Sequence, residues 1–506
     1  MPGPCTAIVA PPPTPNGDLH VGHLSGPYLG ADVLRRYLEG NGERVVTALS
    51  VDLNQTYVVT TAERLRIDPA ILARNSHRDV AATLAAADLA FDVVGMPDAA
   101  YADYVADWFA RFHAAGLIER RRRAIPFAPA ANRFLFESYA SGWCPTCLAE
   151  TRANICETCG HPNEACDLLG LYPTGWRPDS AVELREVEEY VLALEPWRDA
   201  LTAKLLAPTL ERRPAVDRLI AELFAAPLPA FPVTFPSGWG IPAPFPDADG
   251  LVLNVWAEMV PGHYYWLNAA DAAKGGAGPL VTREQTARYV QYLGFDNSFF
   301  YVVAHLTLAL AARTAGIESL VPDAFVTNEF YLLDNFKFST SQGHLIWGRD
   351  FLAEKSVDEA RFFLAWTNPE YNQANFSLDD FERVVAPKFR EPFARLVEAL
   401  AAPTHLGSPA ESPYSQALAA RFDAAYAPRR PSLRMAALTI ANGLDLATEL
   451  IARGEEPAVI CGVVHALAHG MAPIAPDAGG RLARAAREAA EPARMPETRR
   501  RRRASM

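Results

Sequence analysis

The first fifty residues set out one supersecondary unit that leaves few folds open. Residues 6–10 are a short apolar run of the kind that becomes a buried parallel strand. A stiff turn follows, Pro11-Pro12-Pro13-Thr14-Pro15-Asn16-Gly17. Residues 18–40 carry Leu24, Leu29, Val33, Leu34 and Leu38 at helical spacing, and 44–49 are a second apolar run. Strand, turn, helix and strand in that order predict a βαβ unit, and hence an α/β fold with a parallel sheet.

The rest of the chain changes texture twice. Residues 63–115 are alanine-rich and read as helical, and from about 118 the sequence turns Arg-, Pro- and Cys-rich until about 245, as an inserted module would. Strand-like runs resume at 251–256 and 299–303. Beyond 385 the chain is Ala/Leu-rich and reads as helical, with loops near 403–413 and 427–431. No internal repeat is visible.

Charge narrows the function. Across 506 residues, 47 Lys+Arg against 59 Asp+Glu give a net charge of −12, which argues against a protein that coats nucleic acid and against DNA as a partner. A local basic patch holding one RNA stays compatible; Arg120–Arg123 and Arg499–Arg503 are the runs available, though such runs are usually solvated surface. The most apolar stretch, 302–312, contains a histidine and is too short to span a bilayer. The N-terminus has no charged segment followed by a long apolar one, so no signal peptide is expected.

Four of the seven cysteines form two knuckles, Cys144-x2-Cys147 and Cys156-x2-Cys159, with eight residues between them. Without a secretion signal, this spacing predicts one Zn²⁺ held by four thiolates rather than disulfides, and a reducing, cytoplasmic compartment. A closed four-thiolate site is structural, since it leaves no position open for water.

Two short motifs carry chemistry. His20-Val21-Gly22-His23 follows the first strand and its turn, and histidines three apart on a helix share a face. Gly22 lets a ligand approach a helix N-terminus, where anions are favoured. Taken alone, the pair equally suits a metal or two surface histidines. The second motif is Lys337-Phe338-Ser339-Thr340-Ser341, a lysine beside small hydroxyl residues, suited to charge developing on a triphosphate.

The two motifs in this order, about 315 residues apart, resemble the signatures of class I aminoacyl-tRNA synthetases, and the chain is similar to the methionyl-tRNA synthetase family in particular. Further matching pieces are Pro15–His23, Ala31-Asp32-Val33, the cysteine knuckles, Trp239-Gly240-Ile241-Pro242, Val255-Trp256, Gly294-Phe295-Asp296, 358–363, Pro369-Glu370 and Asn375-Phe376-Ser377. The match is good to about 385 and weak beyond.

That resemblance implies a Rossmann-like parallel-sheet domain split by a zinc-binding insertion and followed by an α-helical domain. The expected division is 1–117, first half of the catalytic domain; 118–245, insertion with the zinc knuckle; 246–385, second half and stem-contact region; 386–490, anticodon-binding-like helices; 491–506, a basic disordered tail. It also implies the reaction: with Mg²⁺, an amino-acid carboxylate attacks the α-phosphate of ATP to give aminoacyl-adenylate and pyrophosphate. His20, His23 and Lys337 are the expected catalytic residues. Asn16, Gly17, Gly22, Asp296, Ser339 and Ser341 join them around ATP. Asp52 is expected to receive the α-ammonium, with Trp256 as floor and Pro12, Thr14, Met259, His263 and Tyr301 as walls of the amino-acid pocket.

The departures from the family cluster at that pocket. Thr14 stands where the family has an aromatic residue, Asn54-Gln55 where it has His-Gly, Met259-Val260 and His263 where it has Ala-Pro and Tyr, Tyr301 where it has His, and Phe295 where it has Lys. Thr340 replaces the second lysine of the loop. Asn442 is kept, but Pro457-Ala458 replaces Pro-Trp, and losing a base-stacking aromatic weakens the expectation of tRNA recognition. Side-chain recognition therefore reads as rewritten, toward a small or polar amino acid rather than methionine. The expected function is adenylation of an amino acid and transfer to a non-tRNA amine or hydroxyl in a specialised natural-product pathway. The alternative is a methionine–tRNA ligase charging tRNA in translation. The retained His20, His23, Lys337 and Asp52 argue against a non-catalytic scaffold.

Overall fold

The computed structural model describes residues 4–490 except 208–209, 211, 277–278, 283, 339–342 and 402–405. The expected basic tail, Ser339 and Ser341 lie outside the described residues. Five parallel strands form the central sheet: β1 (Cys5–Val9), β2 (Val45–Ser50), β3 (Val93–Gly95), β4 (Thr286–Gly294) and β5 (Ala324–Asn328), in the order β5-β4-β1-β2-β3. Every residue of β1 is buried, which is why its run is continuously apolar instead of alternating. Strand order reverses at β1, with β2 on one side and β4 on the other. The crevice outside the carboxyl ends at such a reversal is where open α/β sheets bind ligands.

Four sequence expectations change in the structure. The helical run expected over 63–115 contains two helices, Pro69–Ala86 and Ala99–Ala114, with strand β3 between them. The helix expected over 18–40 is broken: Val21–His23 forms a first turn, Gly26 leaves helical geometry (φ −94°, ψ −120°), and α1 runs Leu29–Gly40. Pro27 has no N–H to donate; Ser25 Oγ donates to Gly22 O at 3.2 Å, and the side chain of Asn368 donates to the Ser25 carbonyl. The run at 251–256 is a strand only over Leu251–Leu253; Asn254 then caps helix α2 (Val255–Ala273) through its bond from Trp256 N at 3.0 Å. Residues 299–303 are helical, opening a wide turn Phe299–His305 that continues into α3 (Leu306–Thr314). A short apolar run buried all round carries no periodicity by which to tell strand from helix. Phe295–Thr314 and Leu433–Ala452 are long and apolar enough to cross a membrane, and 83% and 50% of those windows are buried within the chain.

The insertion builds an antiparallel sheet from Ala230–Pro232, Glu183–Ala193, Glu119–Ala128 and Arg133–Phe134, and a smaller one from Leu169–Pro173, Ala140–Trp143 and Glu150–Arg152. The basic run in it is paired across strands: Arg120 with Glu188 at 3.2 Å, Arg122 with Glu186 at 3.1 Å and Arg123 with Glu189 at 2.7 Å.

Helices from Glu391–Ala401 to Pro476–Ala490 close the chain. Arg361, 1% exposed, ties them to the sheet domain by bonding Asp32 Oδ2 (2.7 Å), Asp88 O (2.7 Å), Pro473 O (2.8 Å) and Ile474 O (2.8 Å). Burial alone would raise the Asp32 carboxyl, but Arg361, Arg36 and Arg35 outweigh it and hold it low. Removing one member of such a buried network typically costs about 3–5 kcal/mol.

Candidate active site

A cavity of about 990 Å³ opens at the carboxyl ends of β1, β2, β4 and β5. On one wall, His20 N donates to His23 Nδ1 at 3.2 Å, and the two imidazoles stack at 3.8 Å. Phe338 stacks on the far side of His20 at 4.9 Å. Since His23 Nδ1 accepts, a neutral His23 carries its proton on Nε2. Burial and then the charge of Lys337 pull the His23 pKa down to about 4. Burial, His23 and Lys337 push His20 well below its usual value. Both rings are therefore neutral near pH 7 and act as hydrogen-bond donors rather than as charges. A Cβ on Gly22 would lie 3.0 Å from the His20 ring and 3.2 Å from Phe338, so the glycine makes room for this stack.

Lys337 ends the short strand Phe336–Lys337 and lines the cavity near the histidines, close enough for its charge to act on both. Its ammonium pairs with Glu157, which lies between Cys156 and Cys159 on the knuckle, and sits 4.6 Å from the Phe330 ring centre. Burial would lower the Lys337 pKa, but Glu157 and Asp296 outweigh it and keep the ammonium charged. Asp296 lines the same region; burial raises its pKa to about 6 against the pull of Lys337.

The opposite wall is acidic. The Asp52 N–H donates to Pro13 O at 2.9 Å, which fixes the residue beside the proline turn, while Asp52 Oδ2 is buried with no partner. Burial first, then Glu258 and Glu137, push the Asp52 pKa well above the usual carboxylate range. Behind it, Glu258 takes bonds from Asn54 Nδ2 at 3.0 Å and from Tyr101 at 3.3 Å, and burial raises its pKa to about 8. Trp256 stacks on Phe300 at 3.9 Å. Thr14 Oγ1 donates to Gln55 Oε1 at 3.0 Å, closing the wall where an aromatic side chain was missing.

Pro12, Thr14, Asn16, Gly17, His20, Gly22, His23, Asp52, Trp256, Met259, Asp296, Tyr301 and Lys337 all line the one cavity. His263 does not. It lies in a small void beyond Tyr301, with ring centres 5.8 Å apart, and neither of its nitrogens has a partner. Sequence reasoning missed Glu137, Glu157 and Tyr57, which also line the cavity. For Glu137 a signal existed: it is the one acid inside the apolar stretch Phe134-Leu135-Phe136-Glu137-Ser138-Tyr139-Ala140.

The four knuckle sulfurs lie within 4.8 Å of one another, with Cys144–Cys159 at 3.7 Å and Cys147–Cys156 at 3.6 Å. A tetrahedral zinc with Zn–S of about 2.3 Å requires sulfurs about 3.8 Å apart. The cluster fits that ion.

A parallel sheet of this order, with two neutral imidazoles and a lysine together in the crevice at the reversal of strand order, defines an α/β protein of the kind that binds ligands there. The family model for class I tRNA synthetases (M) matches residues 6–398, and the chain belongs to that family. Methionine–tRNA ligase of Chlorobium limicola is 28% identical over 386 residues, covering 74% of this chain and 55% of the relative. Methionine–tRNA ligase of Thermomicrobium roseum is 31% identical over 376 residues, covering 73% and 63%. The chain thus spans between about half and two thirds of the length of these relatives. Among solved structures, Mycobacterium tuberculosis methionyl-tRNA synthetase in complex with methionyl-adenylate superposes with a TM-score of 0.72 at 18% identity, covering 95% of this chain and 93% of that one. The likeness in fold therefore runs on through the C-terminal helices, where the sequence match is weak.

Proposed function

We propose that this protein activates an amino acid with ATP and passes the aminoacyl group to a tRNA, as a ligase of the methionyl-tRNA synthetase type. The observation that carries the reading is the cavity itself: neutral His20 and His23 and charged Lys337 on one side, and the bare Asp52 carboxylate on the other. The substrate carboxylate attacks the α-phosphorus, the bond to the bridging oxygen breaks, and pyrophosphate leaves. His20 and His23 donate to phosphate oxygens as charge builds, Lys337 meets the departing pyrophosphate, and Asp52 holds the α-ammonium so that the carboxylate is placed for in-line attack. Mg²⁺ accompanies the triphosphate. Zinc, held by Cys144, Cys147, Cys156 and Cys159, supports the knuckle that carries Glu157. Four thiolates serving as metal ligands rather than as disulfides suit a reducing, cytoplasmic setting.

The relatives favour tRNA as acceptor over a small molecule. A second reading concerns the amino acid alone. The Thr14–Gln55 bond and the unpartnered Tyr301 hydroxyl make the wall polar, and a polar wall rejects an apolar side chain by leaving its own groups unpaired. It favours a small or polar amino acid over methionine. Competition between amino acids in ATP–pyrophosphate exchange decides this: methionine ahead by about tenfold or more, a gap of about 1.4 kcal/mol, removes the second reading. Charging of bulk tRNA with the preferred amino acid tests the acceptor; acyl transfer only to small amines or hydroxyls would contradict it.

A further inference from the structure

Glu137 reaches the cavity from the insertion, and only half of its carboxylate is accounted for. Oε2 accepts from Thr56 N at 2.8 Å and Thr56 Oγ1 at 2.6 Å, which caps the helix Thr56–Leu65. Oε1 is buried and has no partner among the described residues, in a residue that is 3% exposed and lines the cavity. Asp52, 4% exposed, lines the same cavity and has a second buried oxygen, Oδ2, without a partner among the described residues. The Trp256 indole N–H lies close enough to draw the Glu137 pKa down, but the two do not reach hydrogen-bond geometry. Of the cations lining the cavity, Lys337 pairs with Glu157, Arg133 with Glu63, and Arg152 bonds Ser141 and Thr174, while Arg64 lies in the last turn of the helix Thr56–Leu65, at the opposite end from the Glu137 cap.

Helix capping explains one oxygen and leaves the other as a buried acceptor, a costly arrangement unless a ligand meets it. Water satisfies an acceptor but brings no charge, and Glu137 and Glu258 lie near enough to raise the Asp52 pKa, as Glu137 does that of Glu258. The missing partner is a cation with several N–H donors. Glu137 also holds a left-handed backbone (φ 46°), a conformation that non-glycine residues keep mainly where the surroundings demand it.

We infer that Glu137 and Asp52 together form a two-carboxylate site for a primary ammonium group of the amino-acid substrate. The inference rests on the amino-acid-activating reading and extends it by one residue and one chemical class. The ammonium can be the α-amino group, shared between the two carboxylates, or a second one on the side chain.

Glu137→Gln tests it. The glutamine oxygen keeps the Thr56 cap and turns an amide N–H₂, a donor, toward the ammonium. The test is ATP–pyrophosphate exchange over the twenty amino acids plus norleucine, which is lysine without its terminal nitrogen. If Glu137 shares the α-ammonium, the variant raises KM by about ten- to hundredfold for whichever amino acid is used best, with the KM for ATP unchanged. If it takes a side-chain ammonium, wild type prefers lysine to norleucine by at least about tenfold and the variant erases that preference. Glu137→Asp, which keeps the charge but shortens the reach, is expected between the two and serves if the glutamine variant does not fold. An amino-acid KM within about twofold of wild type in the folded variants, with only the melting temperature lowered, overturns the inference and leaves Glu137 a helix cap. Wild type inactive with every amino acid overturns the activating reading itself.

Discussion

The two sides of the cavity are built in opposite ways. The phosphate side comes from short local segments: one turn of helix places His20 and His23, and one hairpin places Lys337. Its rings are stacked, its lysine is already paired with Glu157, and of these three residues only His20 has a buried polar atom, Nδ1, without a partner among the described residues. The amine side is gathered from four distant segments, around Asp52, Glu137, Trp256 and Tyr301, and its polar atoms Asp52 Oδ2, Glu137 Oε1, Trp256 Nε1 and Tyr301 Oη are buried without partners. A surface that meets a polyanion in water can hold its donors satisfied until the ligand arrives. A surface that selects a small cation keeps its acceptors bare and concentrates its cost there.

The largest effect expected is on the knuckle that carries Glu157. Elemental analysis should find about one zinc per chain, and Cys156→Ser should lose the ion and unfold the insertion locally, since structural zinc contributes about 10–16 kcal/mol to folding in small sites. Protein purified without chelator and free of zinc would refute this. Next come His23→Ala and Lys337→Ala, each expected to slow ATP–pyrophosphate exchange by about 10²–10³-fold.

On the amine side, Glu258→Gln is expected to stabilise the protein with increasing pH. The folded pKa of Glu258, about 8, lies above its ordinary 4.5. Its stability contribution is therefore full below the ordinary value and is lost as pH rises through about 8. Thermal melts should show the variant gaining most over wild type near pH 8 and least near pH 4.5; a gain that does not grow with pH would mean that Glu258 is not the buried acid responsible. The smallest effect is on the phosphate side. Glu157→Gln frees Lys337 for triphosphate and should lower the KM for ATP by about two- to fivefold, the worth of a half-exposed ion pair. An unchanged KM would show that the pair does not compete with nucleotide.

The same contrast explains what the sequence revealed. Cys144 to Cys159 and His20 to His23 were legible because their geometry is set within a few residues, by a knuckle or a single helical turn. The βαβ start was legible because β1 is apolar throughout. Strand β4 and the helical character of 299–303 were not, because burial on all sides erases periodicity. Glu137 was missed because its position depends on Thr56, 81 residues away in sequence. Tyr301 and His263 look alike in the sequence, as polar residues near the pocket, but only packing places the tyrosine on the cavity and the histidine behind it.

The most direct test of the account is ATP–pyrophosphate exchange with wild type across all twenty amino acids, repeated with His23→Ala. The account expects exchange that depends on an α-amino acid and falls by at least about 10²-fold in the variant. No exchange with any amino acid, or equal exchange in the two proteins, would contradict it.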